Sequence, residues 1–151
     1  MATSARTNNQ VVGNVGLYFV CYQLSRMGWN VMPTTRNAKG IDILIYSQDA
    51  ARTFTVQVKA LSKSSPVPLG GKLTNLFGDF FVVCRKLETE APECFILTPA
   101  EVQERAHCGD KDGIKSYWLQ PKQYATDEFR ERWDRIGSGV AAEMAQLIPP
   151  G

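Results

Sequence analysis

No acidic residue precedes Asp42 in this 151-residue chain, and the first 87 residues hold only three, Asp42, Asp49 and Asp79. Histidine occurs once, at His107, and the four cysteines (Cys21, Cys84, Cys94, Cys108) show no C-x-x-C spacing. These absences count against a zinc site, because Cys84, Cys94, His107 and Cys108 lack standard ligand intervals. They also count against a Cys–His nucleophilic pair: His107 and Cys108 are adjacent at the end of an expected helix, where neighbours diverge by about 100°. No apolar run approaches the roughly 18 residues of a membrane span, and the opening MATSARTNNQ has no signal-peptide apolar core. The expectation is a cytoplasmic protein with reduced thiols and no membrane partner. Internal repeats and low-complexity blocks are missing too. Gly70-Gly71-Lys72 is no phosphate-binding P-loop, since the first glycine, the spacing and the following Ser/Thr are absent.

What is present is an ordinary globular composition, 44% hydrophobic and 21% charged, long enough to bury a core of its own. The reading is a polar leader at 1–8, a single domain at 9–136 and a tail at 137–151. The net charge of +2 hides an asymmetry. Residues 1–87 carry 10 Lys+Arg against 3 Asp+Glu, and residues 88–151 carry 7 against 12. A basic first half points to an anionic partner, nucleic acid being the commonest; the alternative is a pair of solvated charged faces.

Val11, Val12, Val15, Tyr18, Phe19, Tyr22 and Leu24 recur at spacings of three and four, which predicts a helix over 9–27 closed by Gly28. Gly13 and Gly16 weaken it locally but permit close backbone packing. Strands are expected at 29–32, 41–46, 53–60, 79–84, 94–97 and 116–119. The Ser-, Pro- and Gly-rich stretch 62–72 reads as a mobile loop. Thr98, Pro99 and Glu101 form a helix start with a capping box, and a further helix is expected at about 127–136. Trp118 and Trp133 read as core residues. The class is α/β, a sandwich around a mixed sheet.

The segment GIDILIYSQDAARTFTVQVKA, residues 40–60, carries the chemistry. Residues two apart on a strand share a face, so Gln57 and Lys59 project together while Val56 and Val58 project oppositely. Asp42 lies on the neighbouring strand, one hairpin connection away. A carboxylate, a carbonyl oxygen and an ammonium at one point suit phosphodiester hydrolysis: the oxygens can hold Mg²⁺ and the lysine can steady an attacking water. The plainer reading is a strand pair with a polar outer face.

The order helix, strand, Asp-bearing strand, Q-x-K strand resembles the PD-(D/E)XK nuclease superfamily, the restriction endonuclease-like fold. GIDILIY looks like its metal-binding strand, and VQVKA like its (D/E)-x-K strand in the Gln variant of Mrr-like nucleases. GNVGLYFVCYQLSRMGWNV is similar to its first helix and strand. The resemblance spans roughly residues 10–85. It implies an α/β/α sandwich with a mixed central sheet and a catalytic set of Asp42, Gln57 and Lys59. Asp42 would be the principal ligand for Mg²⁺ or Mn²⁺, and Gln57 would stand in the acidic ligand's place. Leu17 occupies the position where that family's helix usually carries Glu, so the site loses a carboxylate there and another at Gln57. Asp79 or Asn14 are candidate substitutes, and Asp79 also reads as a turn acceptor.

These readings lead to two expectations of function. One is a Mg²⁺-dependent endonuclease that binds DNA phosphates through Arg36, Lys39, Arg52, Lys63 and Lys72, expected in turns bordering the site. The other is a catalytically inactive nuclease-fold module that binds nucleic acid or a protein partner. The acidic second half would suit a protein partner or a homodimer in either case.

Overall fold

A computed structural model describes residues 8–35 and 40–140. The leader 1–7, the tail 141–151, Arg36 and Lys39 lie outside the described residues. The chain begins with helix α1 (Asn9–Arg26), whose N-cap Asn8 accepts a hydrogen bond from the Gln10 amide at 2.9 Å. Strands β1 (Asn30–Pro33), β2 (Ile43–Tyr46) and β3 (Thr53–Ala60) follow, then β4 (Val67–Gly70), β5 (Phe80–Arg85) and β6 (Glu93–Leu97). Helix α2 (Pro99–Arg105), strands β7 (His107–Lys111) and β8 (Ile114–Leu119), and the short helix α3 (Pro121–Tyr124) complete the order.

Five strands form a mixed sheet in the order β1-β2-β3-β5-β6, antiparallel throughout except for the parallel pair β3–β5. A parallel pair needs a crossover, and here the connection carries β4 and a 3₁₀ turn at Leu73–Asn75 rather than an α-helix. β4 joins β8 and β7 in a second, antiparallel sheet of order β4-β8-β7. The five-stranded sheet is therefore buried on both faces, which explains the unbroken apolar run of β5. Towards α1, Val82 and Cys84 pack with Val20, Leu24, Ile43, Ile45 and Val56. On the other face, Phe81 and Val83 pack with Phe95, Leu97, Leu119, Tyr124 and Phe129.

The α/β sandwich on a mixed sheet is as expected, with three differences of detail. First, α1 does not bury all the apolar residues that mark it as a helix. Its inward stripe is Val12, Gly16, Val20 and Leu24, while Val11, Val15, Tyr18 and Tyr22 stay exposed. The reason is Gly16, which seats the helix directly on β3: a Cβ there would meet the Ala60 Cβ at 2.5 Å and Leu87 at 3.2 Å. Second, the segment 62–72 contains strand β4, with Val67 and Leu69 buried. Pro68 is tolerated because β4 is an outer strand of its sheet.

Third, no helix spans 127–136; only a 3₁₀ turn at Trp133–Arg135 is helical. The chain instead runs along β6. Ile96 N–H donates to Phe129 O at 2.9 Å, and Glu131 N–H donates to Cys94 O at 2.8 Å. An uncovered sheet edge would leave those groups of β6 without protein partners. The capping box of α2 forms as its sequence predicts, with Thr98 and Glu101 exchanging bonds. Gly137–Val140 also pack onto the body: Trp29 Nε1 donates to Gly137 O at 2.8 Å, and Gly139 N–H donates to Met27 O at 2.9 Å.

The α1–β3 contact yields a paired prediction. Gly16→Val should destabilise the chain by about 1–3 kcal/mol through overpacking. Gly13→Ala, where an added Cβ meets nothing within 4 Å, should gain about 0.5–1 kcal/mol from helix propensity. Urea unfolding midpoints decide both; equal effects of the two substitutions would contradict this seating of α1.

Candidate functional site

β2 is shorter than β3, and the difference makes the site. β2 starts at Ile43, opposite Val56, while β3 runs on to Ala60. Beyond Val56, β3 keeps its partner β5 on one side, with Val58 opposite Val82, Lys59 opposite Val83 and Ala60 opposite Cys84. On the other side β2 has ended. There Asp42 N–H still donates to Val56 O at 3.0 Å, and Asp42 Oδ2 accepts from Val58 N–H at 2.7 Å. A side-chain oxygen thus replaces the missing strand as acceptor. On its other side Asp42 pairs with the residue that follows β1, Thr34 N–H donating to Asp42 O at 2.9 Å.

The N-terminal half of α1 crosses this fork and leaves a cavity of about 250 Å³. Gly13, Asn14 and Leu17 line it from the helix, Asp42 from the fork, and Val58, Lys59 and Ala60 from β3. Residues that are distant in sequence, Asn14, Leu17, Asp42 and Lys59, therefore share one cavity wall. Leu17 lies at the position whose Glu the resemblance leads one to expect, and it supplies no charge. Asp42 Oδ1 accepts no hydrogen bond, and Lys59 forms no ion pair, among the described residues.

Gln57 stands differently. It is not a wall of the cavity, and its side chain is almost wholly buried on the face of the sheet away from α1. Its Oε1 is buried without a hydrogen-bond partner among the described residues. An orphaned buried carbonyl oxygen is rare, because losing water without gaining a donor is costly. A cation would satisfy it. Mg²⁺ sites commonly use one or two protein oxygens, with waters and substrate phosphates completing the shell. Asp42 Oδ1 and Gln57 Oε1 are oxygens of the kind such a site uses. No group of three His, Cys, Asp or Glu able to hold a metal occurs among the described residues, so any cation would rely on substrate oxygens.

The other candidates separate clearly. Asp79 faces Thr55, whose N–H and hydroxyl donate to Asp79 Oδ2 at 2.9 and 3.2 Å. It is a turn acceptor at the start of β5 and does not line the cavity. Arg52 does not border the site. It precedes Thr53 at the opposite end of β3, donates to Ser138 O at 2.8 Å and covers the Trp29 ring at 5.1 Å. Six residue steps along the strand separate Thr53 from Lys59, a span of about 20 Å. Lys63 and Lys72 are exposed, after β3 and β4 respectively. His107 begins β7 rather than ending a helix, and its ring lies 4.6 Å from that of Trp118. Cys84 and Cys94 are buried cross-strand partners, each thiol against the other. The neighbouring Cys84 thiol, with burial, pushes Cys94 far above the usual thiol range, so Cys94 is no ready nucleophile.

Asp42 thus has a structural duty whatever its chemistry. Asp42→Ala should cost about 1–2 kcal/mol by leaving Val58 N–H without an acceptor. Asp42→Asn should cost much less, because a carboxamide oxygen can take the same bond. Thermal melts of the two variants test this; equal losses would mean that the Val58 bond contributes nothing.

No protein-family profile and no curated protein matches the sequence. Among solved structures, the chain is similar to the bacterial homing endonuclease I-Ssp6803I, with a TM-score of 0.55 and 15% identity, over 86% of this chain and 93% of that one. At that identity the likeness is one of fold: a mixed α/β sandwich of the kind found in that nuclease.

Proposed function

We propose that the chain is a metal-dependent nuclease domain that hydrolyses phosphodiester bonds of DNA at the cavity between α1 and β3. The carrying observation is that Asp42 and Lys59 line one cavity at a break in strand pairing; on the same strand as Lys59, the buried Gln57 oxygen has no donor among the described residues. Asp42 and Gln57 would hold Mg²⁺ or Mn²⁺, which when bound polarises the phosphate and supplies charge for the leaving oxygen. Val58 N–H fixes Asp42 Oδ2 and so sets the direction of Oδ1. Lys59 lines the same cavity and has no carboxylate partner among the described residues, so its ammonium would orient a water and stabilise charge growing on the phosphoryl oxygens. Lys63 and Lys72 lie exposed on the segments that follow, suited to contact phosphates without reading bases.

A specific observation favours a second reading, an inactive nuclease-fold module that binds DNA or protein. Asp42 already has a structural hydrogen bond, and Leu17 lines the cavity with hydrocarbon. On that reading the polar groups at the fork complete the sheet and do no chemistry.

Plasmid cleavage with Mg²⁺ or Mn²⁺ separates the two. Lys59→Ala and Asp42→Asn should each lower the rate by about a hundredfold or more, the scale for losing one transition-state-stabilising group. Activity retained in both would remove the site, and no activity in the wild-type chain would favour the binding module. Leu17→Glu adds a second carboxylate to the same wall and should tighten Mn²⁺ binding in calorimetry. The half-buried position at a polar cavity lets water reach the new charge, so stability without metal should fall only modestly. A loss of several kcal/mol that no metal rescues would mean that Leu17 is a core residue.

Salt supplies an independent check on the DNA surface. Affinity for duplex DNA should fall linearly on logarithmic axes as salt rises, and Lys63→Ala or Lys72→Ala should each flatten the slope by about one. A salt-independent affinity would remove both lysines from the interface.

A further inference from the structure

A second and larger cavity, of about 520 Å³, opens where α2 ends and α3 begins. Its walls are Arg105, Ala106, His107, Gln120, Lys122 and Gln123. No carboxylate is among them, although this is the half of the sequence in which acidic residues outnumber basic ones. The fold gathers Arg105 from α2 and Lys122 from α3, cations that are distant in sequence, with His107 from β7, around one opening. Gln120 and Gln123 add carboxamide donors.

Arg105 is held in place from two directions. Its guanidinium carbon lies 4.9 Å over the Phe129 ring, and one terminal nitrogen reaches Glu128 at 3.2 Å. Glu128 is exposed and lies outside the cavity wall. The Arg105 Nε–H has no acceptor among the described residues but is shut off from solvent, so it stays behind the cavity wall. The side chain as a whole is 28% exposed and lines the cavity, so the guanidinium N–H groups not bonded to Glu128 remain for an oxyanion. The C-terminal carbonyls of the seven-residue α2 lie at the same end, but their partial negative charge is small beside two full cations. The His107 ring, backed by Trp118 at 4.6 Å, gives the opening one firm edge.

From this geometry we infer that the cavity binds a phosphate group of a nucleic-acid strand. A rigid guanidinium, a mobile lysine ammonium and two carboxamides make a donor set for a tetrahedral oxyanion with several acceptor oxygens. The site requires neither Asp42 nor Lys59, so it stands or falls independently of cleavage. The phosphate could be a backbone diester or a terminal monoester; both offer the same oxygens.

The test is a titration of inorganic phosphate into the isotope-labelled full chain, followed by backbone amide shifts. Saturable shifts are expected at His107, Lys122 and Gln123. Lys122→Glu, at an exposed position that leaves the fold alone, should weaken affinity by about tenfold or more, and Gln123→Glu should weaken it in the same direction. Lys59→Ala should leave it unchanged. Duplexes with and without a terminal phosphate then separate the sources. Stronger binding of the phosphorylated end, lost in Lys122→Glu, assigns the monoester. Equal binding of the two duplexes, with both weakened by Lys122→Glu, assigns the backbone. Shifts that never saturate, or an affinity unchanged by both substitutions, would overturn the inference.

Discussion

The hydrogen bond from Val58 N–H to the Asp42 carboxylate is the contact on which the proposed site depends. It lies where β2 stops pairing with β3, and it lets β3 continue without leaving that donor bare. Because β2 stops there, α1 can cross an open fork instead of a closed sheet, and a cavity remains beneath it. Because a charged side chain makes the bond, the cavity acquires a carboxylate held at one oxygen and free at the other. Gly16 completes the arrangement, since only a residue without a Cβ lets the helix come down onto Ala60.

The central sheet was legible in the sequence because its signals are local. Alternation in TFTVQVKA gives β3 its two faces, continuous apolar runs mark β5 and β6, and Thr98, Pro99 and Glu101 specify the start of α2 by side-chain capping alone. The juxtaposition of Asp42 with Lys59 was legible for the same reason. The different fate of Gln57 was not, because period-two counting gives the face of a strand but not which of its residues the helix leaves open to a cavity.

The misreadings have physical causes. Apolar spacing marks α1 as a helix without saying which apolar residues are buried; the close packing that Gly16 permits selects the buried stripe. β4 was hidden by Pro68 and the surrounding serines and glycines, a composition that an outer strand tolerates. β7 did carry a signal: Asp112-Gly113, both with positive φ, form the tight turn joining it to β8. The segment 127–136 has helical spacing in Phe129, Trp133 and Ile136, but the unpaired backbone of β6 takes it instead. Charge shows the same contrast. Halving the sequence finds a basic half and an acidic half, while the fold draws Arg105, His107 and Lys122 out of the acidic half to one opening.

The most direct measurement of the central claim is paramagnetic broadening of backbone amides by Mn²⁺, with a short non-cleavable DNA duplex present to supply phosphate oxygens. If Asp42 and Gln57 hold the cation, broadening should centre on Asp42 and on Gln57–Lys59, extend to Asn14 and Leu17 across the cavity, and vanish in Asp42→Asn. Broadening centred on other acidic residues such as Asp110 and Asp112, or unchanged in Asp42→Asn, would contradict a metal site at this fork.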